Sequence, residues 1–460
     1  MPRATAACRL VAGLFVLAAT TVGGGVADSE TKKSLELPPT KAACWGPLPA
    51  AAEPAPQPTP ARPDVTVGCA DASDCTAEIQ AALDDAGGRR LVFTARVYVT
   101  QSLLLRANDT VLEFRPGSTL LAKPGAFVGG ADPLLTIQGA HWGQPCNATC
   151  FCPAARNVTI SGGGATFQMH RSDYTRSPYH PTENRMAIAV QGVAGLRING
   201  LTVTEAGGDG IYLGQVLNRN VTIEHVTLTK SFRNALTVGN IIGLRVLHTV
   251  LSLTNGTAPM AGVDFESDEC YGRMQDILFT NVSAVGNSGA GFQFTLGPNP
   301  LCHPFGGETV ITARLEDIRV VGGGKYGVSV SANGPFPPGG QLHMKGLRVS
   351  DTLNSGLLVE DKGAGWPVFV EDALFSNVST PICPTPGGEC PNGPIWVEGR
   401  NALCEGVTFT NVTLHDDRLR WPVSFIGSHH DVINGQLISF IGSGLPAGAW
   451  VSERVSGSGV

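Results

Sequence analysis

The stretch "GDGIYLGQVLNRNVTIEHVTLTKSFRNALTVG" at residues 208–239 decides the fold of this chain. It contains a short alternating segment, "GIYLG", then "NVTIEHVTLT", and then a second copy of the first segment, "NALTVG". Side chains two positions apart on a strand share one face. The two copies therefore place Ile211 and Leu213, and then Leu236 and Val238, on equivalent buried faces.

The same segment recurs along most of the chain, at steps of 23 to 38 residues. The first inward position of each copy is Ile188, Ile211, Leu236, Val263, Phe292, Val328, Leu357, Ile395 and Val423. Further short strands lie between the copies, as in "NVTISGGG" at 157 and "GVTFTNVTLHD" at 406. Several short strands in a period of roughly 25 residues indicate a solenoid, here an all-β parallel β-helix of about ten rungs.

Composition agrees with this architecture. Of 460 residues, 58 are Gly and only 15% are charged, which favours strands and tight turns and would suit one extended repeat. The net charge is −6, no Lys/Arg cluster is interleaved with aromatics, and no Gly-rich loop leads into Lys-Ser/Thr. We therefore expect no nucleic-acid or nucleotide partner.

The N-terminal region predicts export. Residues 1–27 have the order of a signal peptide, with arginines before the apolar run "LVAGLFVLAATTV" and small residues after it; an N-terminal membrane anchor is the alternative. Residues 28–65 are Pro- and Ala-rich and indicate a disordered linker before a β-helix domain at 66–455. With no later apolar run of ~20 residues, we expect a secreted, monomeric protein without stable membrane insertion.

Cysteine usage is consistent with an oxidising compartment. Removal of Cys8 with the signal leaves eleven of twelve cysteines, so at least one is unpaired within the chain. Short spacing suggests disulfides between Cys69 and Cys75, between Cys383 and Cys390, and within the group Cys146, Cys150 and Cys152. Zinc binding by that last group is the alternative.

Eight N-x-S/T sequons predict a glycoprotein if the source is eukaryotic. They are Asn108, Asn147, Asn157, Asn220, Asn255, Asn281, Asn377 and Asn411. Five have the form N-V-T or N-V-S at equivalent repeat positions. In these five, Asn also suits a turn and Thr or Ser suits a strand.

The amphipathic segment "AEIQAALDDAGG" at 77–88, followed by rungs such as "GGDGIYLG", resembles the pectate-lyase-like superfamily of right-handed parallel β-helix proteins. The resemblance implies that this first helix plugs one end of the coil. It also implies a polysaccharide lyase, a glycoside hydrolase, an epimerase or a non-catalytic binding protein. Of the N-T-D, D-D, G-H-G and R-I-K segments of polygalacturonase-type hydrolases, only Asp209 matches one position, and the D-P-H-E segment of mannuronan epimerases is absent.

Three acids alternate in "AGVDFESD" at 261–268, namely Asp264, Glu266 and Asp268. The repeat register places Asp264 and Glu266 side by side on the solvent-facing wall of the coil. Asp209 and Arg233 stand at the entrances of the two preceding strands. We take Asp264, Glu266, Asp209 and Arg233 as candidate catalytic residues.

Three interpretations of these acids remain open. A carboxyl pair ~6.5–9.5 Å apart can serve as general acid and general base of an inverting glycosidase, with one pKa raised by the neighbouring charge. Alternatively, Asp264, Glu266 and Asp268 bind Ca²⁺ for a lyase reaction on uronic acids. In the third interpretation the acids are a solvated face that discourages strand addition.

Neighbouring residues provide candidate sugar contacts. Tyr212, Thr237 and Gln293 lie one or two rungs from the acids, and Tyr212 is suited to stacking on a pyranose ring. The insertion at 166–185 carries Tyr174, His180 and Arg185, and it predicts either a wall of the binding groove or a shield for the coil.

These observations predict a secreted enzyme that cleaves glycosidic bonds in a polysaccharide, as a hydrolase or a Ca²⁺-assisted lyase. The alternative is a non-catalytic carbohydrate-binding protein of a cell wall or cell surface. Apart from this possible Ca²⁺, we expect no cofactor.

Overall fold

A computed structural model describes part of the chain. The described residues are 60–70, 73–139, 155–214, 216–266, 273–296, 310–332, 339–363, 365–379, 393–399, 404, 406–415, 423–427, 438–441 and 452–454. The predicted signal peptide and most of the predicted linker lie outside these ranges.

The described residues form one α-helix, a 3-10 turn at Asp173–Thr175 and 34 strands. The first elements are β1 (Val65–Thr66), α1 (Thr76–Asp84), β2 (Arg90–Phe93), β3 (Val97–Thr100), β4 (Leu103–Leu105), β5 (Thr110–Phe114), β6 (Thr119–Ala122), β7 (Leu135–Gln138), β8 (Ala155–Gln168), β9 (Ile188–Gln191), β10 (Val193–Thr204) and β11 (Ile211–Leu213). The middle elements are β12 (Asn218–Glu224), β13 (Thr227–Thr229), β14 (Leu236–Val238), β15 (Ile241–Leu247), β16 (Val250–Ser252), β17 (Val263–Glu266), β18 (Arg273–Thr280), β19 (Ser283–Val285), β20 (Phe292–Leu296), β21 (Val310–Glu316), β22 (Arg319–Val321) and β23 (Val328–Ala332). The last elements are β24 (Gly339–Lys345), β25 (Arg348–Ser350), β26 (Leu357–Glu360), β27 (Val368–Glu371), β28 (Leu374–Ser376), β29 (Ile395–Gly399), β30 (Val407–Thr410), β31 (Val412–His415), β32 (Val423–Gly427), β33 (Ile438–Ile441) and β34 (Ser452–Arg454).

The strands stack in parallel into a β-helix. One sheet of twelve strands, called here the site sheet, takes one strand from each rung: β4, β7, β9, β11, β14, β17, β20, β23, β26, β29, β32 and β34. The other strands form a 22-stranded sheet that contains the remaining walls of the coil. The predicted register is confirmed: the inward positions from Ile188 to Val423 pair rung by rung in the predicted order.

Stacked aliphatic and aromatic side chains fill the interior of the coil. Phe265 and Phe294, from adjacent rungs, lie face to face with ring centroids 4.1 Å apart, and Phe279 meets Phe265 edge-on. All three side chains are fully buried. Their burial fixes which side of each site-sheet strand faces outward.

Helix α1 covers the first rungs, as the sequence predicted. Its apolar face buries Ile79 and Leu83, and the Gln80 side chain exchanges hydrogen bonds with the backbone of Leu104 on β4. Asp74 accepts hydrogen bonds from the backbone and side chain of Thr76 and so supports the first turn. None of the described helices is long and apolar enough to cross a membrane.

Chain contacts with the coil begin inside the stretch predicted as a linker. The backbone N–H of Ala61 donates to the Gly88 carbonyl, and Arg62 pairs with Asp85 at 2.9 Å. Strand β1 then pairs with β2 from Val65. The structure also joins Cys69 to Cys75 by a disulfide; the other predicted cysteine pairs lie outside the described residues.

The five N-V-T and N-V-S asparagines adopt a left-handed backbone conformation, with φ between 48° and 52°. Four of them direct the side-chain amide at a residue of an earlier rung: Asn157 at Asp109, Asn281 at His248, Asn377 at Asp351 and Asn411 at Asp372. Asn tolerates this left-handed backbone conformation better than most residues. Three of the five lie in bends between strands, whereas Asn157 and Asn220 lie within β8 and β12. Their glycosylation stays a prediction.

The aromatic stack predicts a large cost for truncation. We expect Phe265→Ala to lower the free energy of unfolding by ~3–5 kcal/mol, because it leaves a cavity in a closely packed interior. Urea unfolding measures the loss. Phe369→Ala, on the partly exposed outer side of β27, is the matched control with a smaller expected loss; equal losses would contradict this account of the core.

Candidate functional site

A single guanidinium stands among four carboxylates on the outer side of the site sheet. Arg233, in the turn before β14, lies 2.8 Å from Glu266, 3.5 Å from Asp209, 3.5 Å from Glu183 and 3.8 Å from Asp264, measured between nitrogen and oxygen atoms. Its side chain is only 13% exposed. The structure therefore brings together all four predicted catalytic residues and adds Glu183.

Asp209 is fully buried at the entrance of β11. One carboxylate oxygen accepts a hydrogen bond from the backbone N–H of Asn234, and the other accepts one from the Thr237 hydroxyl at 2.8 Å. Burial raises the pKa of Asp209 to about 6, although Arg233 and these donors act in the opposite direction. Asp209 therefore changes charge near neutral pH.

Asp264 is also fully buried, contrary to the predicted solvent-facing position. It does lie on the outward side of β17, between the inward Val263 and Phe265, but Asn234 and Arg233 cover it. Its Oδ2 accepts a hydrogen bond from the Asn234 side chain, whereas Oδ1 is buried without a hydrogen-bond partner.

Burial raises the pKa of Asp264 well above its ordinary value. The negative charge of Glu266 acts in the same direction, and so does a hydrogen bond between the two carboxyls; Arg233 opposes them. Because the Glu266 side chain is 33% exposed, it is the member of this pair that a ligand reaches. Asp264 lies beneath it, and its raised pKa favours the protonated form.

Asn234 connects these acids, and the sequence analysis did not select it. Its amide nitrogen donates to Thr237 and Asp264, while its amide oxygen accepts from the backbone N–H of Ala261. The side chain is fully buried. Its sequence position, next to Arg233 and two residues before β14, marked it only as a neighbour of the candidate site.

Tyr212 and Thr237 are not exposed sugar contacts. Thr237 is 1% exposed and is fully used between Asp209 and Asn234. Tyr212 is 5% exposed and packs with Met186 and Ala189. The predicted stacking of Tyr212 on a sugar is therefore replaced by packing against the outer wall. Gln293, one rung after Asp264, remains partly exposed.

Two residues of the insertion at 166–185 that were predicted to contact sugar, Arg185 and Tyr174, instead have a structural role. Arg185 is fully buried, donates to the carbonyls of Phe127, Gly129 and His180, and lies 4.7 Å from the Tyr174 ring centroid. The Tyr174 side chain is buried as well. Arg185 and Tyr174 therefore anchor the loop, because both side chains are buried and Arg185 is bonded to three carbonyls, while the His180 side chain is exposed.

Glu183 brings the same insertion to the cluster. Its side chain is 48% exposed, and its carboxylate lies 3.5 Å from the Nε atom of Arg233. The insertion thus contributes one carboxylate to the cluster, and its role as a wall of a binding groove stays a prediction.

The predicted Ca²⁺ ligands do not form a cation site among the described residues. Within those ranges no group of three or more His, Cys, Asp or Glu side chains is placed to hold a metal ion, and Asp268 lies outside them. Arg233 already stands within ion-pair distance of both Asp264 and Glu266. A divalent cation bound by that pair would face this fixed positive charge, so the donor set fits Ca²⁺ poorly.

Solved structures from several protein classes share this architecture. The chain is 14% identical to the A-module of a mannuronan C-5 epimerase from Azotobacter vinelandii, with a TM-score of 0.54 over 85% of this chain and all of that one. It is 13% identical to the catalytic unit of an α-1,3-glucanase from Streptomyces thermodiastaticus, with a TM-score of 0.54 over 85% of this chain and 71% of that one. It is 12% identical to a surface adhesin of Streptococcus pneumoniae, with a TM-score of 0.56 over 86% of this chain and 94% of that one.

No protein-family model and no curated protein sequence matches the chain. At such low identities the structural likeness shows a shared fold, and activity has to be argued from the site itself.

The raised pKa of Asp209 predicts a pH-dependent stability. Its pKa is about 6 in the folded chain against an ordinary value of 3.8, so its contribution is complete below pH 3.8 and is lost as the pH rises through 6. We expect urea midpoints of Asp209→Asn to decline less over this interval than those of the wild type. The exposed control Asp317→Asn should keep the wild-type decline; an unchanged decline in Asp209→Asn would contradict the assignment.

Proposed function

We propose that this chain, which has the right-handed parallel β-helix fold of the pectate-lyase-like superfamily, hydrolyses glycosidic bonds of a polysaccharide at the acids around Arg233. The observation that carries the proposal is the pair of accessible carboxylates, Glu183 and Glu266, that contact two different nitrogens of one guanidinium. Beneath Glu266 lies Asp264, whose pKa burial raises well above its ordinary value. Perturbed acids of this kind are typical of functional sites.

The charge balance favours a neutral polysaccharide. Four carboxyls face one guanidinium, so the site is negative even when Asp264 and Asp209 hold protons. A negative site repels a chain of uronic acids and does not repel a neutral chain. Because Arg233 also disfavours a cation bound between Asp264 and Glu266, we favour hydrolysis over Ca²⁺-assisted elimination.

Glu183 and Glu266 suit hydrolysis better than the predicted pair of Asp264 and Glu266. Asp264 and Glu266 both approach one nitrogen of Arg233, at 3.8 and 2.8 Å, which places those two oxygens at or below the lower limit of the ~6.5–9.5 Å range of inverting enzymes. Asp264 is also out of reach of a sugar. Glu183 and Glu266 are both accessible, and they contact different nitrogens of Arg233, at 3.5 and 2.8 Å.

In this mechanism Glu266 is the general acid and Glu183 the general base. Glu266 gives a proton to the glycosidic oxygen as the bond from that oxygen to the anomeric carbon breaks, and Asp264 supplies a proton to Glu266 through their hydrogen bond. Glu183 accepts a proton from water, whose oxygen bonds to the anomeric carbon. Proton exchange with solvent then restores all three carboxyls, and Arg233 holds both catalytic carboxylates in place.

Polysaccharide binding without cleavage is the second candidate. It is favoured by the complete burial of Asp209 and Asp264, because acids that no sugar touches also suit a purely structural role in the wall. Structural likeness to a surface adhesin is compatible with this candidate.

We further propose that the protein acts outside the cell, with residues 1–27 as the export signal and 66–455 as the working domain. The support is the order of charged, apolar and small residues at the N-terminus.

The hydrolase proposal predicts the products and the variants that lose them. Wild-type protein should release reducing ends from at least one neutral polysaccharide, without the absorbance of unsaturated ends and with no effect of a chelator. Glu266→Gln and Glu183→Gln should each lower the rate by ~10²–10⁴-fold, because each removes a proton-transfer group.

Glu316→Gln, a partly exposed acid on β21 of the other sheet, is the control that keeps full activity. Unsaturated ends that disappear with chelator would show a lyase instead. Retention on the polysaccharide without any product would favour the binding protein, and full activity in both glutamine variants would exclude this site.

A further inference from the structure

A continuous strip of outward residues runs from the acid cluster along the coil axis. Rung by rung, Asp264 pairs with Gln293, Gln293 with Ser329, Ser329 with Leu358, and Leu358 with Trp396. Each rung advances ~4.8 Å, so Trp396 stands ~19 Å from Asp264 on the same face. One rung is comparable in length to one pyranose unit of an extended polysaccharide.

Small polar side chains occupy the strip between these two ends. Gln293 and Thr295 lie on the first rung after the acids, and Ser329 and Ser331 lie on the next. The Ser331 hydroxyl donates to Glu360 at 3.3 Å. Gln293, Thr295 and Ser331 are partly exposed and offer amide or hydroxyl groups to sugar hydroxyls, whereas Ser329 is 6% exposed and only keeps the strip narrow in side-chain bulk.

Trp396 differs from the rest of the strip. Its side chain is partly exposed, whereas Leu358, one rung before it, is 4% exposed and offers a flat apolar support. The Nε1 atom of Trp396 is buried without a hydrogen-bond partner. Since Nε1 is the buried part of the indole, Trp396 offers a ligand its accessible apolar ring surface, the kind of surface on which a sugar ring stacks.

We propose that Trp396 and the strip between it and Asp264 form a distal subsite for a neutral polysaccharide chain. The inference rests on the proposed function for its class of ligand, but it requires only binding and not cleavage. It makes Trp396 a specificity-determining residue: fragments long enough to span the strip gain its contact, and shorter fragments held at the acids do not.

Calorimetry on the full-length chain tests the subsite. Glu266→Gln serves as the parent protein so that the sugar is not consumed, and the probe is a six-unit fragment of the neutral polysaccharide that binds most tightly in a panel. Adding Trp396→Ala should weaken binding by about three- to tenfold, the scale of one aromatic contact. Adding Trp396→Phe should change it by less than about threefold, because the phenyl ring keeps the stacking surface.

Two further readouts do not depend on truncating the indole. Fragment binding should change the tryptophan fluorescence of the parent protein, and this change should disappear in the Trp396→Phe variant although calorimetry still detects binding. Ser331→Arg, which fills the strip without altering Trp396 or the acids, should weaken binding of the six-unit fragment.

Unchanged affinity in both Trp396→Ala and Ser331→Arg would overturn the subsite, as would a panel in which no neutral polysaccharide binds. Binding that depends on Trp396 in a wild-type protein that never cleaves would reject the hydrolase and leave the subsite in place. Cleavage that requires Glu266 and is insensitive to Trp396 would reject only the subsite.

Discussion

Unbroken parallel register between successive rungs is the constraint on which the rest of this structure depends. The inward side chains from Ile188 to Val423 stack in one line, and alternation then fixes the residue after each of them on the opposite side of the strand. Acids from distant parts of the sequence consequently reach one wall. A slip of one residue in β17 would turn Asp264 toward the aromatic rings of the interior.

The outer wall accommodates these acids because residues in and next to the turns between strands cover them and offset the cost of burying their charge. Burial of a carboxylate is costly unless charges and hydrogen bonds replace water. Arg233 supplies the charge, while Asn234 and Thr237 supply donors. The compensation is incomplete at Asp264, where one buried oxygen has no partner and the pKa is raised. This local excess of acid is the property on which the proposed chemistry depends.

The sequence predicted the coil, its register and the residues that share the outer wall. These features follow from the alternation of apolar and polar residues and from the spacing of the repeats, both of which are periodic in the sequence. The sequence did not predict which of the outer-wall and insertion side chains are exposed to solvent. The turn carrying Arg233 and Asn234 folds over Asp264, and the insertion at 166–185 packs Arg185 inward while presenting Glu183. Turn conformation and loop packing have no sequence period, so neither Glu183 nor the role of Asn234 was accessible from the pattern alone.

The central claim is that Asp264 holds a proton beneath Glu266 on the outer wall of the coil. Infrared spectroscopy measures this directly, because a protonated carboxyl has a carbonyl stretching band that a carboxylate lacks. At a pH just above the pKa of Asp209, the account predicts such a band in wild-type protein and its loss in Asp264→Asn. Absence of the band in the wild type, or its persistence unchanged in Asp264→Asn, would contradict the account.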